Sequence, residues 1–165
     1  MTGVITIEVL SPAHDRTGFS CGVEALDRYF RSQVTQDVRR RATACYVARD
    51  TTAERIAGYY TLSASSIPLA ELPEELARRF PRYPVVPVAL LGRLAVEKSW
   101  QGRHLGGALV WDAALRARRS EVAVFALVVG AKDDAAEAFY RHHGFTAFGS
   151  LPRHLILSLA SPGLQ

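Results

Sequence analysis

The sequence predicts an α/β fold in a single domain, with a mixed central sheet flanked by helices. Its 165 residues are the size of one ordinary domain, which we place over residues 1–165. Hydrophobic residues make up 48% of the chain and charged residues 22%, which is typical of a folded globular protein and excludes a disordered one. Two apolar runs, 88–96 and 122–129, flank a helical pattern. Because a strand, a helix and a second strand in this order form a crossover, part of the sheet is predicted to be parallel.

The first half of the chain alternates between strand and helix patterns. β-Branched residues over 4–10 predict a strand, and 43–50 and 54–67 predict two more strands joined by a polar turn. Between them, apolar residues recur at three- and four-residue steps from Val23 to Val38, which predicts one amphipathic helix. The predicted polar face of this helix carries Asp27, Arg28, Arg31, Gln33 and Asp37.

The second half contains six further segments. In order, the patterns predict a short helix between prolines, a strand buried on both faces, a helix, a second buried strand, a short helix with an acidic cap, and strand-like residues broken at Pro152. These segments cover residues 68–87, 88–96, 108–120, 122–129, 133–145 and 145–160, respectively.

The positive charge of the chain comes almost entirely from arginine. The net charge is +4, and Lys98 and Lys132 are the only lysines. A basic balance favours anionic partners such as phosphates or nucleic acid. The alternative interpretation is that the arginines only solvate helix faces. They cluster at Arg39, Arg40 and Arg41, at Arg78, Arg79 and Arg82, and at Arg116, Arg118 and Arg119.

The cysteines and the N-terminal residues indicate in which cellular compartment the protein is expected. Cys21 and Cys45 show no metal-ligand spacing to each other or to the histidines, so we expect buried free thiols and no metal site. The N-terminus has no basic leader followed by a long apolar core, which argues against a signal peptide. The apolar runs fall short of the roughly 20 residues that span a bilayer. The sequence therefore predicts a cytoplasmic protein that does not enter the membrane.

The turn after the 88–96 strand has the features of a phosphate site. It carries Gly102, Gly106 and Gly107 and leads directly into a helix. A helix N-terminus presents unpaired N–H groups and the positive end of the helix dipole, and glycines let an anion approach the backbone. Arg103 adds a cation. The alternative is that these glycines only shape a tight strand-to-helix turn.

Two motifs in this region resemble the GNAT acyltransferases. The run LLGRLAVEKSWQGRHLGGALVWDAAL is similar to the acetyl-CoA-binding core of that family, with its Q/R-x-x-G-x-G/A turn, and DDAAEAFYRHHGF is similar to its second signature. The resemblance covers essentially the whole chain. It implies a GNAT fold and acetyl-CoA as acetyl donor, with the pyrophosphate on the turn and the pantetheine arm beside the strand. The implied cofactor-binding residues are Leu94, Ala95, Val96, Gln101, Gly102, Arg103, His104, Leu105, Gly106 and Gly107.

His104 departs from the family motif, because it occupies the position of the first glycine. Its backbone N–H remains available to a phosphate. The side chain is expected to crowd the phosphates or to require a positive φ, at a cost of about 1 kcal/mol. Alternatively, the imidazole donates a hydrogen bond to a phosphate. We expect a working but altered phosphate site.

Finer similarities point to one branch of the family, the GNAT toxins of bacterial toxin–antitoxin pairs. The matching stretches are FSCGVEALDRYF, QDVRRRATACYVA, IAGYYTLSA, PRYPVVPVALLGRLAV and AFYRHHGF. This resemblance implies transfer of acetyl to the α-amine of aminoacyl-tRNA, which blocks translation. It also implies a ribbon-helix-helix antitoxin as partner and a homodimer. A tRNA backbone needs positive charge along its path. The expected tRNA-binding residues are Arg39, Arg40, Arg41, Arg78, Arg79, Arg82 and Arg93.

Tyr140 is the expected catalytic residue. The family places at this point of its second signature a tyrosine that donates a proton to the leaving CoA thiolate as general acid. The alternative is a core aromatic residue, which we expect of Phe139.

No general base stands out in the sequence. Glu97 is predicted to cap the strand exit and Asp133 the start of the last helix, so a water relay is as good a candidate as either. His142 and His143 are predicted to lie at the surface near a helix C-terminus. Arg93 interrupts an apolar strand, where an arginine either pairs or lines a cleft.

Two rival functions stay open at this point. The first is a GNAT enzyme that acetylates a small amine, such as an antibiotic, or a protein amine. The basic character of the chain disfavours cationic small substrates. The second is a non-catalytic CoA-binding or tRNA-binding module with a degenerate phosphate turn at His104, and the presence of Tyr140 argues against it.

Overall fold

Seven strands form one mixed sheet in the structure, a computed structural model that describes residues 4–160. The strands are β1 Ile5–Val9, β2 Ala44–Asp50, β3 Arg55–Pro68, β4 Val85–Val96, β5 Ala126–Gly130, β6 Thr146–Ala147 and β7 His154–Ser158. Their order across the sheet is β1-β2-β3-β4-β5-β7-β6. The helices are α1 Glu24–Ser32, α2 Val34–Arg39, α3 Glu74–Ala77, α4 Leu105–Arg118 and α5 Asp134–His142. The predicted mixed sheet flanked by helices is confirmed.

The described residues fall into two compact units, one of residues 4–63 and 92–113, the other of residues 64–91 and 114–160. In the first unit, β2 pairs antiparallel with both β1 and β3. The two strands predicted from 43–50 and 54–67 are therefore confirmed as a hairpin.

Three aromatic rings form the centre of the first unit's core. The rings of Phe30 and Tyr59 stack with centroids 4.2 Å apart, and Phe19 meets both edge-on. All three residues are buried. Offset and edge-on aromatic pairs add stabilisation beyond the burial of their area. This packing fixes α1, through Phe30, against β3, through Tyr59.

The helix predicted from Val23 to Val38 is broken at Gln33. Gln33 has φ −124° and ψ −31°, so it ends α1 and precedes α2. The physical reason lies in a distant loop. Arg16 donates a hydrogen bond of 2.7 Å to the carbonyl of Phe30, the group that Val34 N–H would bond in a continuous helix.

Asp27 does not lie on an exposed face of α1, so that prediction was wrong. Asp27 is only 3% exposed. Its carboxylate accepts a hydrogen bond of 2.8 Å from the backbone N–H of Cys21, which draws the side chain towards the preceding loop. Cys21 lies outside the helix, so the periodicity of the helix sequence could not predict this hydrogen bond.

The second unit contains the parallel part of the sheet. Residues Val88, Ala89 and Leu90 of β4 pair in parallel with Ala126, Leu127 and Val128 of β5, which confirms the predicted crossover. Strand β7 pairs antiparallel with β5 and with the short β6. The strand structure is interrupted between the end of β6 and the start of β7, as predicted around Pro152.

Two expectations for the buried strands were too simple. Strand β4 is buried on both faces only in part, since Gly92 is exposed between buried Leu91 and half-buried Arg93. The strand predicted from Val122 begins only at Ala126, and Val122 is 74% exposed. Residues 122–125 are apolar like the strand that follows them, but the pairing of β5 with β7 begins only at Ala126.

Candidate active site

The turn between β4 and α4 is held by backbone and side-chain hydrogen bonds. The amide of Glu97 donates to the carbonyl of Ala57 at 2.8 Å. The Glu97 carboxylate accepts from the backbone N–H of Ser99 at 2.9 Å and also from the Ser99 hydroxyl. The chain then makes one 3-10 turn, Lys98–Trp100, before α4 begins at Leu105. Glu97 therefore caps the strand exit, as predicted.

The side chain of Gln101 points to the protein and not to a ligand site. Its Nε2 donates hydrogen bonds of 2.7 Å to the carbonyl of Cys21 and 2.9 Å to the carbonyl of Val96. A primary amide has two N–H donors, and both are used here. Only the amide oxygen remains, and an acceptor does not bind a phosphate oxygen. Gln101 thus serves the turn by holding its shape.

His104 adopts the positive φ expected at this position of the motif. Its φ is 66°, in the left-handed region, and Gly102 nearby has a φ of 76°. A residue with a Cβ is strained there by about 1 kcal/mol, although histidine tolerates the region better than most. The His104 carbonyl accepts from Ala108 N–H at 3.3 Å, which makes His104 the residue that caps α4. Its side chain is exposed.

The first turn of α4 offers the anion site that the motif predicts. The amides of Leu105, Gly106 and Gly107 have no partner within the helix by the geometry of a helix start, and they lie at its positive end. Gly106 and Gly107 are part of the helix, which begins three residues before the predicted 108. Arg103 precedes this helix start by two residues and is exposed, and its guanidinium lies 4.0 Å from the centroid of the Trp100 ring. The residues present therefore fit a phosphate group.

The last residues of β4 have the exposure expected of a strand that borders a ligand. Ala95 is buried, whereas Leu94 and Val96 are half-buried. A Cβ at Gly58 would lie 2.9 Å from the Ala95 carbonyl oxygen, so only glycine allows β3 to approach β4 here. These three residues belong to the first unit, together with the turn.

Tyr140 lies in the second unit, on α5. The helix starts at the predicted cap, since the Asp133 carboxylate accepts from Ala136 N–H at 2.8 Å. Tyr140 is 7% exposed, and the rings of Phe139 and Phe145 meet it edge-on with centroids 5.1 Å and 5.4 Å away. Burial raises the pKa of Tyr140 to about 12. The phenol is therefore protonated at neutral pH, which is the state that a proton donor requires.

The predicted tRNA-binding arginines occupy two separate parts of the chain. Arg39 is the last residue of α2 in the first unit, Arg40 and Arg41 follow it, and all three are exposed. Arg78, Arg79 and Arg82 follow α3 in the second unit and are exposed as well, with Arg78 in a 3.4 Å ion pair with Glu74. Arg93 differs from both groups, because it is half-buried and stacks on Tyr29.

The remaining polar candidates carry no sign of metal chemistry. No group of three or more metal-ligating side chains occurs within residues 4–160. Cys21 and Cys45 are free and buried, and burial raises the pKa of the Cys45 thiol to about 12. His142 is exposed, and His143 packs on the Phe139 ring with centroids 4.8 Å apart. Burial lowers the pKa of His143, with a smaller contribution from His142. Across the same residues, no helix is long and apolar enough to cross a bilayer.

A family model for the acetyltransferase (GNAT) domain matches residues 41–147. The chain belongs to the GNAT acetyltransferase family. The matched residues of this GNAT acetyltransferase include the β4–α4 turn and Tyr140. The fold expected from the family resemblance is confirmed.

Relatives of this GNAT acetyltransferase extend the match to nearly the whole chain. It is 36% identical over 160 residues to the tRNA-acetylating toxin of Mycobacterium tuberculosis, covering 95% of this chain and 93% of that protein. The structure of AtaT complexed with acetyl-methionyl-tRNAfMet is 30% identical, with a TM-score of 0.84 over 98% of both chains. A tyrosine-to-phenylalanine mutant of the AtaT toxin, bound to the C-terminus of the antitoxin AtaR and to acetyl-CoA, is 28% identical. Its TM-score is 0.78 over 94% of this chain and 93% of that chain.

Proposed function

We propose that this enzyme transfers the acetyl group of acetyl-CoA to the α-amine of the aminoacyl group on charged tRNA. The acetylated aminoacyl-tRNA then cannot serve normally in translation, and the enzyme acts as a toxin. The observation that carries the proposal is its sequence identity to the tRNA-acetylating toxin over almost the full length of both proteins. The likeness to AtaT in complex with acetyl-methionyl-tRNA supports the same acceptor class.

The β4–α4 turn supplies the binding site for the acetyl donor. Acetyl-CoA brings an activated thioester and, at the other end of its pantetheine arm, a pyrophosphate. The free amides at the start of α4 and the guanidinium of Arg103 suit the pyrophosphate. Leu94, Ala95 and Val96 border the pantetheine arm in the proposal. His104 contributes its backbone amide, and Gln101 contributes through the shape of the turn.

Tyr140 acts as general acid in the proposed reaction. The neutral amine of the acceptor attacks the carbonyl carbon of the thioester, a C–N bond forms, and the C–S bond breaks. The Tyr140 hydroxyl donates its proton to the departing sulfur. The proton lost from the nitrogen passes to water, and the tyrosinate takes a proton back from water, which restores the enzyme. Within residues 4–160 the Tyr140 hydroxyl makes no hydrogen bond to another protein group, so its proton is not committed to a protein acceptor. A proton donor free of protein partners is available to a substrate.

Neither of the two candidate carboxylates, Glu97 and Asp133, is free of protein partners in the described part of the chain. Glu97 is engaged by Ser99, and Asp133 caps α5. We therefore assign deprotonation of the acceptor amine to water. The amine of an aminoacyl ester is less basic than a lysine amine, so a large fraction is neutral near pH 7 without a protein base.

The exposed arginines are the proposed contacts to the tRNA backbone. Phosphate contacts require cations along the path of the nucleic acid. The exposed ones among the expected residues are Arg39, Arg40, Arg41, Arg78, Arg79 and Arg82. Arg93 is half-buried and stacks on Tyr29, so its proposed contact to tRNA is the least direct of the set. The exposed arginines also argue against a cationic small molecule as acceptor. The rival of a non-catalytic module is disfavoured by the phenol of Tyr140, which is protonated and has no protein hydrogen-bond partner within residues 4–160.

Partners and cellular setting follow from the same proposal. The structure of AtaT with the C-terminus of AtaR supports an antitoxin partner, which we propose to be of the ribbon-helix-helix type. We further propose that the enzyme acts in the cytoplasm, where charged tRNA is found, as a homodimer, and that residues 1–165 make one catalytic domain.

Transfer of labelled acetyl from acetyl-CoA to a pool of charged tRNA tests the proposed function. Deacylated tRNA and free amino acids are the acceptor controls. Label on charged tRNA alone supports the proposal. Label on free amines with none on charged tRNA would move the small-amine rival ahead, and failure of acetyl-CoA to bind would remove the enzyme hypothesis.

A further inference from the structure

The loop before α1 is hydrogen-bonded to both ends of the Lys98–Gln101 segment. The carbonyl of Ser20 accepts from Lys98 N–H at 2.9 Å, and the carbonyl of Cys21 accepts from Gln101 Nε2 at 2.7 Å. Two consecutive carbonyls of this loop therefore set the position of the chain that leads into the phosphate site. No feature of the QGRHLG motif predicts this, because the loop lies about 80 residues earlier in the sequence.

Asp27 holds the same loop from the other side. Its Oδ1 accepts from Cys21 N–H at 2.8 Å, and its Oδ2 accepts from the Ser20 hydroxyl at 3.5 Å. Asp27 is 3% exposed, and no ion pair joins it to a cation within residues 4–160. A buried carboxylate is costly unless hydrogen bonds compensate it, and here those bonds come from the loop.

The peptide group between Ser20 and Cys21 links Asp27 directly to the turn. Its N–H donates to Asp27, and its C=O accepts from Lys98. A negative charge on the N–H side of a peptide polarises the group and strengthens its carbonyl as an acceptor. Asp27 therefore reinforces the contact that holds Lys98, as well as fixing where Cys21 presents its carbonyl to Gln101.

We propose that Asp27 and Gln101 are positioning residues for the pyrophosphate site of the acetyl donor, acting through the Ser20–Cys21 peptide. This inference rests on the proposed function only in taking the β4–α4 turn as the site of the CoA pyrophosphate. It explains why the stretch FSCGVEALDRYF carries an aspartate at a position that is buried. Neither residue touches the donor, and both fix the start of the turn whose amides do.

The test compares two acetyl donors, of which only one reaches the turn. Acetyl-CoA carries the pyrophosphate, whereas S-acetylpantetheine has the same thioester and arm but lacks the pyrophosphate and the 3′-phosphoadenosine attached to it. Gln101→Met removes both donors from an exposed side chain of similar length. Gln33→Met makes the same exchange at an exposed glutamine without a side-chain capping bond and is the matched control. Asp27→Ala removes the buried acceptor, and Asp27→Asn retains an oxygen that accepts from Cys21.

We expect Gln101→Met to weaken acetyl-CoA binding roughly tenfold, as the loss of two hydrogen bonds implies. The KM for acetyl-CoA should rise by the same factor with kcat within twofold, while kcat/KM for S-acetylpantetheine stays at the wild-type value. Asp27→Ala should reproduce this donor-selective loss, and Asp27→Asn should restore most of the affinity. Gln33→Met should match wild type with both donors.

Two results would overturn the inference while leaving the proposed function intact. One is wild-type affinity for acetyl-CoA in Gln101→Met. The other is an equal loss with both donors, which would indicate general damage to the fold. Since Gln101 is exposed, its variant keeps the test decisive even if Asp27→Ala does not fold. Failure of the wild-type enzyme to bind acetyl-CoA would instead overturn the proposed function and this inference together.

Discussion

The guanidinium of Arg93 lies over the ring of Tyr29, 3.5 Å from its centroid. The Tyr29 hydroxyl in turn donates a hydrogen bond of 2.8 Å to Asp37, on α2. Arg93, which interrupts an apolar strand in the sequence, thus finds an aromatic partner rather than a carboxylate. Burial and the bond to Asp37 together hold the pKa of Tyr29 well above its ordinary value. These contacts connect β4, α1 and α2. Asp37, the last residue of the series, lies two residues before Arg39, one of the proposed tRNA-binding residues.

Tyr29→Phe tests the contribution of this hydroxyl to stability. The phenylalanine ring keeps the surface under Arg93, but the hydrogen bond to Asp37 is lost. We expect the free energy of unfolding to fall by about 1 kcal/mol, measured by urea denaturation. Tyr83→Phe, the same exchange at a tyrosine that is 59% exposed, should change it by less than about 0.5 kcal/mol. Equal stability of Tyr29→Phe and wild type would show that the bond contributes nothing.

His104→Gly separates the two interpretations of the altered motif. Glycine removes the strain of a positive φ, so we expect the free energy of unfolding to rise by about 0.5–1 kcal/mol. Acetyl-CoA binding, measured by calorimetry, should be unchanged or tighter. Glu54→Gly, at another residue of positive φ, is the control and should leave binding unchanged. Weaker binding in His104→Gly alone would instead assign the imidazole to a phosphate.

The pH dependence of the reaction follows from the protonation of Tyr140. Its pKa is raised to about 12, so the donor stays protonated through pH 10. We therefore expect kcat to rise as the acceptor amine loses its proton and then to level off, without a fall before pH 10. Rapid-quench measurements are required because the aminoacyl ester hydrolyses in base. A decline of kcat between pH 8 and 10 would contradict the assignment.

Tyr140→Phe should lower kcat by about 10²-fold or more, because general acid catalysis contributes on this scale. Its affinity for acetyl-CoA should not change, since the ring and its packing on Phe139 and Phe145 are retained. Tyr83→Phe should have the kcat of wild type. A kcat near wild type in Tyr140→Phe would reduce Tyr140 to a core aromatic residue.

The arginines after α2 should act on the nucleic acid and not on the acetyl donor. We expect Arg39→Ala combined with Arg40→Ala to raise the KM for charged tRNA and to flatten its dependence on salt, by about 0.7–0.9 in the logarithmic slope for each lost phosphate contact. The KM for acetyl-CoA should stay constant. Arg28→Ala, at an exposed arginine of α1, serves as control. An unchanged salt slope in the double variant would remove these residues from the tRNA path.

The elements that the sequence predicted correctly are those with a local signal. The β4–α4 turn has its glycines, α5 has the Asp133 cap, and the hairpin of β2 and β3 has its polar turn. Each depends on residues close together in the chain, and each is present at the expected place.

The features that escaped prediction depend on partners far away in the chain. The break at Gln33 arises where Arg16 takes the carbonyl of Phe30, and the burial of Asp27 arises from the Cys21 amide. Likewise, the amide of Gln101 is bound by Cys21, about 80 residues earlier. Periodicity reports which side of a helix is apolar, but it carries no information on a single polar residue whose partner lies in another segment.

Identification of the acetylated atom tests directly whether this enzyme acetylates the aminoacyl group of charged tRNA. Charged tRNA would be incubated with the enzyme and acetyl-CoA, digested with ribonuclease, and the 3′-terminal aminoacyl-adenosine analysed by mass spectrometry. We expect one added acetyl group on the α-amine of the amino acid, and none when Tyr140→Phe replaces the wild-type enzyme over the same short time. Acetyl on a nucleobase, or unmodified aminoacyl-adenosine in the presence of an enzyme that consumes acetyl-CoA on another amine, would contradict it.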